Sequence, residues 1–257
     1  MLRRLAPFFS LLAAFLLVGA CNMAGGNGSG YDGLNTPVTR DPDQPMVPIQ
    51  LEVPPLPYLE NFDLSLLPAN WQQFGGSWTL DSHNGALIQS SFVMEPGSII
   101  NGYDYALASF GDPNWSNYSV TARLKLGQAD IDKNAPSAGV IGRYQNQYMY
   151  YYVDCTTALG ANAGRQITGV RIIKVFKGAD TVMSTYSARG LAVDPNSFEL
   201  KAEFRAAFIN VSLNGTQIMS VEDNGKFMGT PFLKGATGFR SHHQAFTVNS
   251  ALIDVAP

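Results

Sequence analysis

The sequence predicts an all-β domain, a sandwich or barrel, in residues 58–257. Three observations support this prediction. Short runs rich in β-branched and aromatic residues alternate with turn signals, no long helical pattern interrupts them, and about 200 residues suit one domain of this kind.

Several runs are predicted to be strands by their alternation and their β-branched or aromatic content. In chain order they cover residues 119–126, 139–144, 148–155, 170–176, 198–204 and 207–213. Asn214-Gly215 follows the last run and precedes another alternating run, residues 216–221. Because Asn-Gly favours a type I′ turn, we expect a β-hairpin there with one core face and one wetter face.

The first 20 residues have the layout of an export signal. Arg3 and Arg4 precede an apolar run over residues 7–18, and small residues lead into Cys21. This arrangement resembles the lipobox of bacterial lipoproteins, in which the cysteine becomes the lipidated first residue of the mature chain. The alternative is an ordinary secretory signal in which Cys21 is incidental.

The lipobox resemblance implies a location in the cell envelope, periplasmic or surface-exposed, with membrane attachment through the lipid on Cys21. Asn22 follows the cysteine in place of the Asp linked with inner-membrane retention, which favours the outer membrane. Each buried methylene of an acyl anchor contributes about 0.8 kcal/mol, and stable attachment takes more than one chain.

Residues 21–57 are predicted to be a tether. Their first part is rich in glycine and their second part in proline, so the chain changes from flexible to semi-extended, at about 3.1 Å per residue where polyproline-like. An alternative is that residues 49–57 pack along the domain as an irregular arm.

Composition excludes one class of partner. The net charge is −3 and charged residues make up 14% of the chain, so no basic surface for nucleic acid is expected. Once Cys21 is lipidated, Cys155 is the one cysteine left, and we expect it to be a small buried apolar residue.

The order of several short motifs carries a resemblance across the predicted domain. These motifs are Glu60-Asn61-Phe62-Asp63, Gly76-Ser77-Trp78, Gly85-Ala86-Leu87, residues 115–122, 138–144, 148–152, 211–215, 235–239 and 253–255. Their order resembles a concanavalin A-like lectin/glucanase domain of the laminin G-like kind. The resemblance implies a jelly-roll β-sandwich of two curved antiparallel sheets with one concave face.

Related domains often hold a structural calcium where the first and last strands meet. The resemblance therefore implies a Ca²⁺ site built from Glu60, Asp63 and Asp254, since calcium prefers six to eight oxygen ligands. The alternative is that Asp63 and Asp254 cap turns or face water.

A ligand-binding face is predicted from the aromatic strand. Alternation places Tyr150, Tyr152 and Asp154 on one face, and Tyr151 and Cys155 on the other, which we interpret as core. Tyrosine offers an apolar ring and a polar tip to a sugar. The candidate ligand-binding residues are Arg143, Tyr144, Tyr150, Tyr152, Asp154, Arg171 and His242. Cross-strand packing on a covered sheet is the alternative for any single tyrosine.

The two neighbouring histidines near the C-terminus complete the candidate residues. Adjacent residues of a strand point to opposite faces, so His242 and His243 are not expected to chelate one ion. His242 at the rim of the concave face is a candidate ligand contact, and a plain surface pair is the alternative.

No catalytic motif supports hydrolysis. The paired carboxylates of β-glucanases, Glu-x-Asp-x-Glu or Glu-x-Asp-x-x-Glu, do not occur in the sequence. We therefore predict a lectin-like binding module for glycan or a protein partner. The alternatives are a hydrolase of the same superfamily, with Asp154 beside Arg143 as general base, and a structural envelope lipoprotein.

Overall fold

The computed structural model describes residues 55–63, 70–91, 105–130, 135–158, 165–188 and 193–256. All of them belong to one compact unit, Ile49–Pro257. The predicted export signal, Cys21 and all of the tether before residue 55 lie outside the described residues, so these features stay predictions.

The described ranges consist of strands and their connections. In chain order the strands are β1 (Tyr58–Glu60), β2 (Gln72–Phe74), β3 (Trp78–Asp81), β4 (Ala86–Gln89), β5 (Tyr105–Phe110), β6 (Tyr118–Ala129), β7 (Ser137–Asn146), β8 (Met149–Thr157), β9 (Ile167–Phe176), β10 (Ala179–Ser187), β11 (Phe198–Arg205), β12 (Phe208–Leu213), β13 (Thr216–Glu222), β14 (Ala236–His242) and β15 (Gln244–Val255). Within these ranges no helix is long and apolar enough to cross a membrane.

The strands form two antiparallel sheets. An eight-stranded sheet has the order β13-β12-β11-β6-β15-β4-β3, with β1 also paired to β15. A seven-stranded sheet has the order β10-β9-β8-β7-β14-β5-β2. The predicted all-β sandwich of two antiparallel sheets is confirmed.

The predicted hairpin is also confirmed. Strands β12 and β13 pair antiparallel on either side of Asn214 and Gly215, whose φ angles are 49° and 77°. Positive φ at both central residues is the signature of a type I′ turn. Ile209, Val211 and Leu213 are buried in the main core, as their shared face required.

The core lies between the inner faces of the two sheets. Strand β8 contributes Tyr151, Val153 and Cys155 to it, which confirms the predicted alternation. Phe204 of β11 packs against Tyr151 from the opposite sheet, with ring centroids 6.3 Å apart. The other face of the seven-stranded sheet is therefore available for a separate set of side chains.

Candidate functional site

The face of the seven-stranded sheet that points away from the core collects most of the predicted ligand-binding residues. Tyr150 and Tyr152 of β8 and Tyr144 of β7 pack there in a second buried cluster with residues of β5 and β9. Asp154 and Arg171 lie directly opposite each other on β8 and β9. Alternation along β8 places Tyr150, Tyr152 and Asp154 on the same side of the sheet.

This face is concave, and one ion pair demonstrates it. Arg240 of β14 and Asp180 of β10 lie on strands that are four positions apart in the sheet. In a flat sheet four strand spacings are about 19 Å, which is farther than an arginine and an aspartate side chain reach together. Yet Arg240 Nη2 lies 2.9 Å from Asp180 Oδ2. The sheet must therefore curve toward this face, and β10 bends over it.

Arg240 also covers the tyrosines. Its guanidinium carbon lies 4.5 Å from the centroid of the Tyr105 ring, 4.7 Å from that of Tyr152 and 5.8 Å from that of Tyr150. Such contacts combine cation–π attraction with burial. Burial lowers the pKa of Arg240, but the interactions with Tyr150, Asp180 and Tyr152 outweigh burial and raise it. Arg240 is thus a fixed, buried positive charge.

A second ion pair, between Arg171 and Asp154, lies beside the first. Arg171 Nε donates to Asp154 Oδ1 at 3.0 Å, and Arg171 Nη2 lies 2.5 Å from Asp154 Oδ2. Asp154 is fully buried, whereas 23% of the Arg171 side chain is exposed. Burial lowers the pKa of Arg171, the hydrogen bond and charge of Asp154 raise it above its usual value, and the charge of Arg240 opposes that rise. The two guanidinium groups are therefore close enough to repel each other electrostatically.

These groups line a pocket of about 230 Å³. Its lining residues are Ala135, Ser137, Tyr152, Arg171, Ile173, Asp180, Val182, Arg240 and His242. Asp154 does not line it, because it is buried beneath Arg171. The pocket presents two guanidinium groups, one carboxylate and one imidazole, together with the apolar side chains of Ile173 and Val182.

No family model and no curated protein matches the sequence. Solved structures do match the fold. Carbohydrate-binding module CBM66 from Bacillus subtilis is 13% identical, with a TM-score of 0.51 over 72% of this chain and 92% of that one. A structure from work on endo-acting O-glycanases of the human gut microbiota that initiate mucin breakdown is 8% identical, with a TM-score of 0.54 over 78% of this chain and 99% of that one.

A third solved structure is matched over less than half of its own length. Xylan β-1,4-xylosidase from Bacillus halodurans is 12% identical, with a TM-score of 0.52 over 83% of this chain. The likeness covers 41% of that enzyme. At these identities the likenesses establish the β-sandwich fold.

Arg143 does not reach the concave face, so its predicted place beside Tyr150 and Tyr152 is wrong. Its φ of 51° lies in the left-handed region, at an irregularity in the pairing of β7 with β8. This irregularity turns the side chain into the core, where it is 1% exposed and Nη1 donates to Phe232 O at 2.7 Å. The Tyr118 hydroxyl of β6 accepts from Arg143 N at 2.6 Å and donates to Ala236 O at 2.9 Å.

The tyrosine rings are not an open platform for stacking. Tyr150 is 0% and Tyr152 1% exposed, and Tyr144 is also buried. These rings are therefore packed side chains on a covered sheet. Burial is the largest cause that raises the pKa of each of these three tyrosines. The pKa of Tyr144 is raised to about 12. Tyr152 still contributes to the pocket wall.

The three predicted calcium ligands are not brought together. Glu60 pairs with Ala251 on the core side, where its carboxylate accepts from Phe62 N at 2.9 Å and from the Tyr58 hydroxyl. Asp254 is three residues farther along β15, an odd number, so it points to the exposed face. Asp63 is exposed. Among the described residues no three His, Cys, Asp or Glu side chains form a metal-binding group, so Glu60, Asp63 and Asp254 do not form the predicted set of Ca²⁺ ligands.

The histidines depart from simple alternation. His242 is half-buried and lines the pocket, as expected for a rim position. His243 is buried in the turn between β14 and β15 with a φ of 51°, and its ring centroid lies 4.1 Å from that of His242. The prediction that the two rings point to opposite faces is therefore wrong.

The sequence did not identify Asp180 as a pocket residue, nor the ion pair that Arg240 makes with it. Arg240 has a sequence signal, because it lies two residues from His242 on the same strand and so shares its face. Asp180 has none, because its contact with Arg240 depends on the curvature of the sheet.

Proposed function

We propose that this chain is a cell-envelope lipoprotein whose β-sandwich binds carbohydrate in the pocket of the concave face. The observation that carries the proposal is the ion pair between Arg240 and Asp180, which closes a curved sheet over a polar pocket. Concave sites with a few convergent polar groups are the usual form of ligand sites.

The pocket chemistry suits a sugar. Hydroxyl groups donate and accept hydrogen bonds, and the pocket offers guanidinium donors and the Asp180 carboxylate as acceptor. Ile173 and Val182 provide apolar surface for the C–H groups of a sugar ring. The volume of about 230 Å³ is below the range of about 300–1,000 Å³ for drug-sized ligands, so the site fits one sugar unit at a chain end.

The likeness to a carbohydrate-binding module supports binding by a fold of this kind. Two further observations favour binding without hydrolysis. Asp154 is buried in a two-bond contact with Arg171, and Asp180 is paired with Arg240. A general acid or base must be able to exchange a proton with the substrate, and both carboxylates are already held by guanidinium groups.

A glycan array with the full-length chain tests the proposal, followed by calorimetry on each hit. Val182→Phe is the informative variant, because Val182 is 49% exposed and a phenyl ring there fills the pocket without disturbing the core. We expect affinity to fall by about tenfold or more, as when shape complementarity at a buried contact is lost. Val255→Phe is the matched control, since Val255 is 56% exposed on the other sheet.

Binding that Val182→Phe leaves unchanged would move the ligand away from the concave face. Absence of binding to every glycan on the array would overturn the carbohydrate proposal and favour the protein-partner or scaffold role.

The envelope part of the proposal has its own experiment. Cells that express the chain are labelled with an alkyne analogue of palmitate, and the membranes are then fractionated. We expect label on the wild-type chain in the outer-membrane fraction and none on Cys21→Ser. Equal labelling of both chains would contradict lipidation at Cys21.

A further inference from the structure

We propose that the pocket of the concave face selects a sugar that carries a carboxylate, such as a uronic acid, and that Asp180 occupies the place of that carboxylate in the unliganded protein. This inference rests on the proposed function and names the ligand class of the same site.

The charges that the pocket presents are unequal. Its lining holds the guanidinium groups of Arg171 and Arg240 against the single carboxylate of Asp180. Asp154 neutralises Arg171 from below, but it is fully buried and contributes no surface to the pocket. A ligand therefore contacts more guanidinium than carboxylate groups, although the charges of the two ion pairs sum to zero. A bound carboxylate that displaces Asp180 keeps this balance.

Donors remain for such a ligand. Arg171 uses Nε and Nη2 on Asp154, and its Nη1 makes no hydrogen bond to any described residue. Arg240 Nε is buried and has no hydrogen-bond partner in the described part of the chain, so the donors that face the pocket are Nη1 and Nη2, which contact Asp180. A planar carboxylate is the group whose geometry matches the guanidinium donors that face the pocket.

Asp180 is the displaceable member of its pair. Its side chain is 42% exposed, whereas that of Arg240 is 4% exposed. Asp180 lies near the start of the edge strand β10, and Arg240 is held over the rings of Tyr105 and Tyr152. When a ligand carboxylate replaces Asp180, the aromatic contacts keep Arg240 in place, so the binding group is pre-organised.

Calorimetric titration of the full-length chain with four probes tests this inference. The probes are D-glucuronate, its methyl ester, D-glucose and acetate. We expect glucuronate to bind at least about tenfold more tightly than the methyl ester and glucose, because hydrogen bonds to charged groups are the stronger ones. We also expect it to bind more tightly than acetate, which lacks the sugar ring, and to bind more weakly at high salt.

Asp180→Asn makes the test specific to the competing carboxylate. We expect glucuronate affinity to rise by about two- to fivefold in this variant, the range that a partly exposed ion pair accounts for. Asp63→Asn is the control, because it removes the same charge from an exposed position outside the pocket. An unchanged or lower affinity in Asp180→Asn overturns the role given to Asp180.

The remaining outcomes separate this inference from the proposed function. Equal affinity for glucuronate and its methyl ester, or array hits confined to neutral glycans, overturns the carboxylate selectivity and leaves sugar binding intact. Equal affinity for acetate and glucuronate overturns selection of a sugar acid, because the carboxylate alone then accounts for binding.

Discussion

Lys174 Nζ lies 2.7 Å from Asp223 Oδ2 inside the sandwich, and neither side chain is exposed. The Tyr151 hydroxyl donates to the same Asp223 oxygen at 2.5 Å. Lys174 also donates to the carbonyl oxygens of Gly229 and Thr230 at 3.2 and 2.9 Å. A buried ion pair is tolerated when its remaining hydrogen-bonding groups are satisfied. This pair fastens the segment after β13 to the inner face of the seven-stranded sheet.

Replacing Asp223 by Asn leaves Lys174 as a buried charge without its counter-ion. We expect the free energy of unfolding to fall by about 3–5 kcal/mol, the cost of removing one partner of a buried pair. Urea unfolding followed by circular dichroism measures it. Asp63→Asn, at an exposed position, should change the free energy by less than about 0.5 kcal/mol. A similarly small effect of Asp223→Asn would mean that water reaches Lys174.

Gly142→Ala is expected to destabilise the domain by steric overlap. A methyl group at Gly142 on β7 would overlap the ring of Phe204 from the opposite sheet. Overpacking of this kind costs about 1–3 kcal/mol. In a double-mutant cycle with Phe204→Leu, measured by urea unfolding, we expect a favourable coupling free energy, because the smaller side chain makes room. Additive effects of the two substitutions would contradict the contact.

Gly215→Ala is expected to destabilise the hairpin for a different reason. Gly215 has a φ of 77°, and a methyl group there would meet no atom within 4 Å. The cost is therefore backbone strain, about 1–2 kcal/mol. Because no neighbour is crowded, Phe204→Leu should not relieve it, which makes this variant the control for Gly142→Ala. A rescue by Phe204→Leu would show that both substitutions act through core packing.

Stability should fall in alkaline solution. Burial raises the pKa of Tyr144 to about 12, and raises those of Tyr118, Tyr150, Tyr151 and Tyr152 further. An unfolded tyrosine ionises near a pKa of about 10, so the contribution of these groups is complete below that pH and is lost as the pH rises through the folded-state values. Urea unfolding at pH 8, 10 and 11 measures the decrease. Tyrosine absorbance at 295 nm that titrates fully near pH 10 without unfolding would contradict the burial.

The sequence was sufficient where a short-range rule decides the structure. Alternation placed Tyr152 and Asp154 on one face and Tyr151 on the other, because the period of two holds along a regular strand. The Asn214-Gly215 turn followed from the φ angles that these residues tolerate. Both results depend on residues close together in the chain.

The sequence was insufficient where an irregularity or a long-range contact decides the structure. On a regular strand the Arg143 side chain would face the tyrosines, but its left-handed φ turns the side chain to the opposite face of the sheet. Nothing in the alternating sequence pattern marks that position. The pair of Asp180 and Arg240 depends on how strongly the sheet bends. Glu60 and Asp254 point to opposite faces, because the register of β1 on β15 pairs Glu60 with Ala251, three residues from Asp254.

The Tyr118 hydroxyl has a consequence for the relative position of the two layers. Apolar contact is non-directional, so it fixes the relative position of two sheets only through the shapes of the packed side chains. A hydrogen bond is directional, and Tyr118 of the eight-stranded sheet makes two of them, to Arg143 N and Ala236 O of the seven-stranded sheet. This tyrosine therefore pins the translation of one layer against the other, beside the strands whose opposite face forms the pocket.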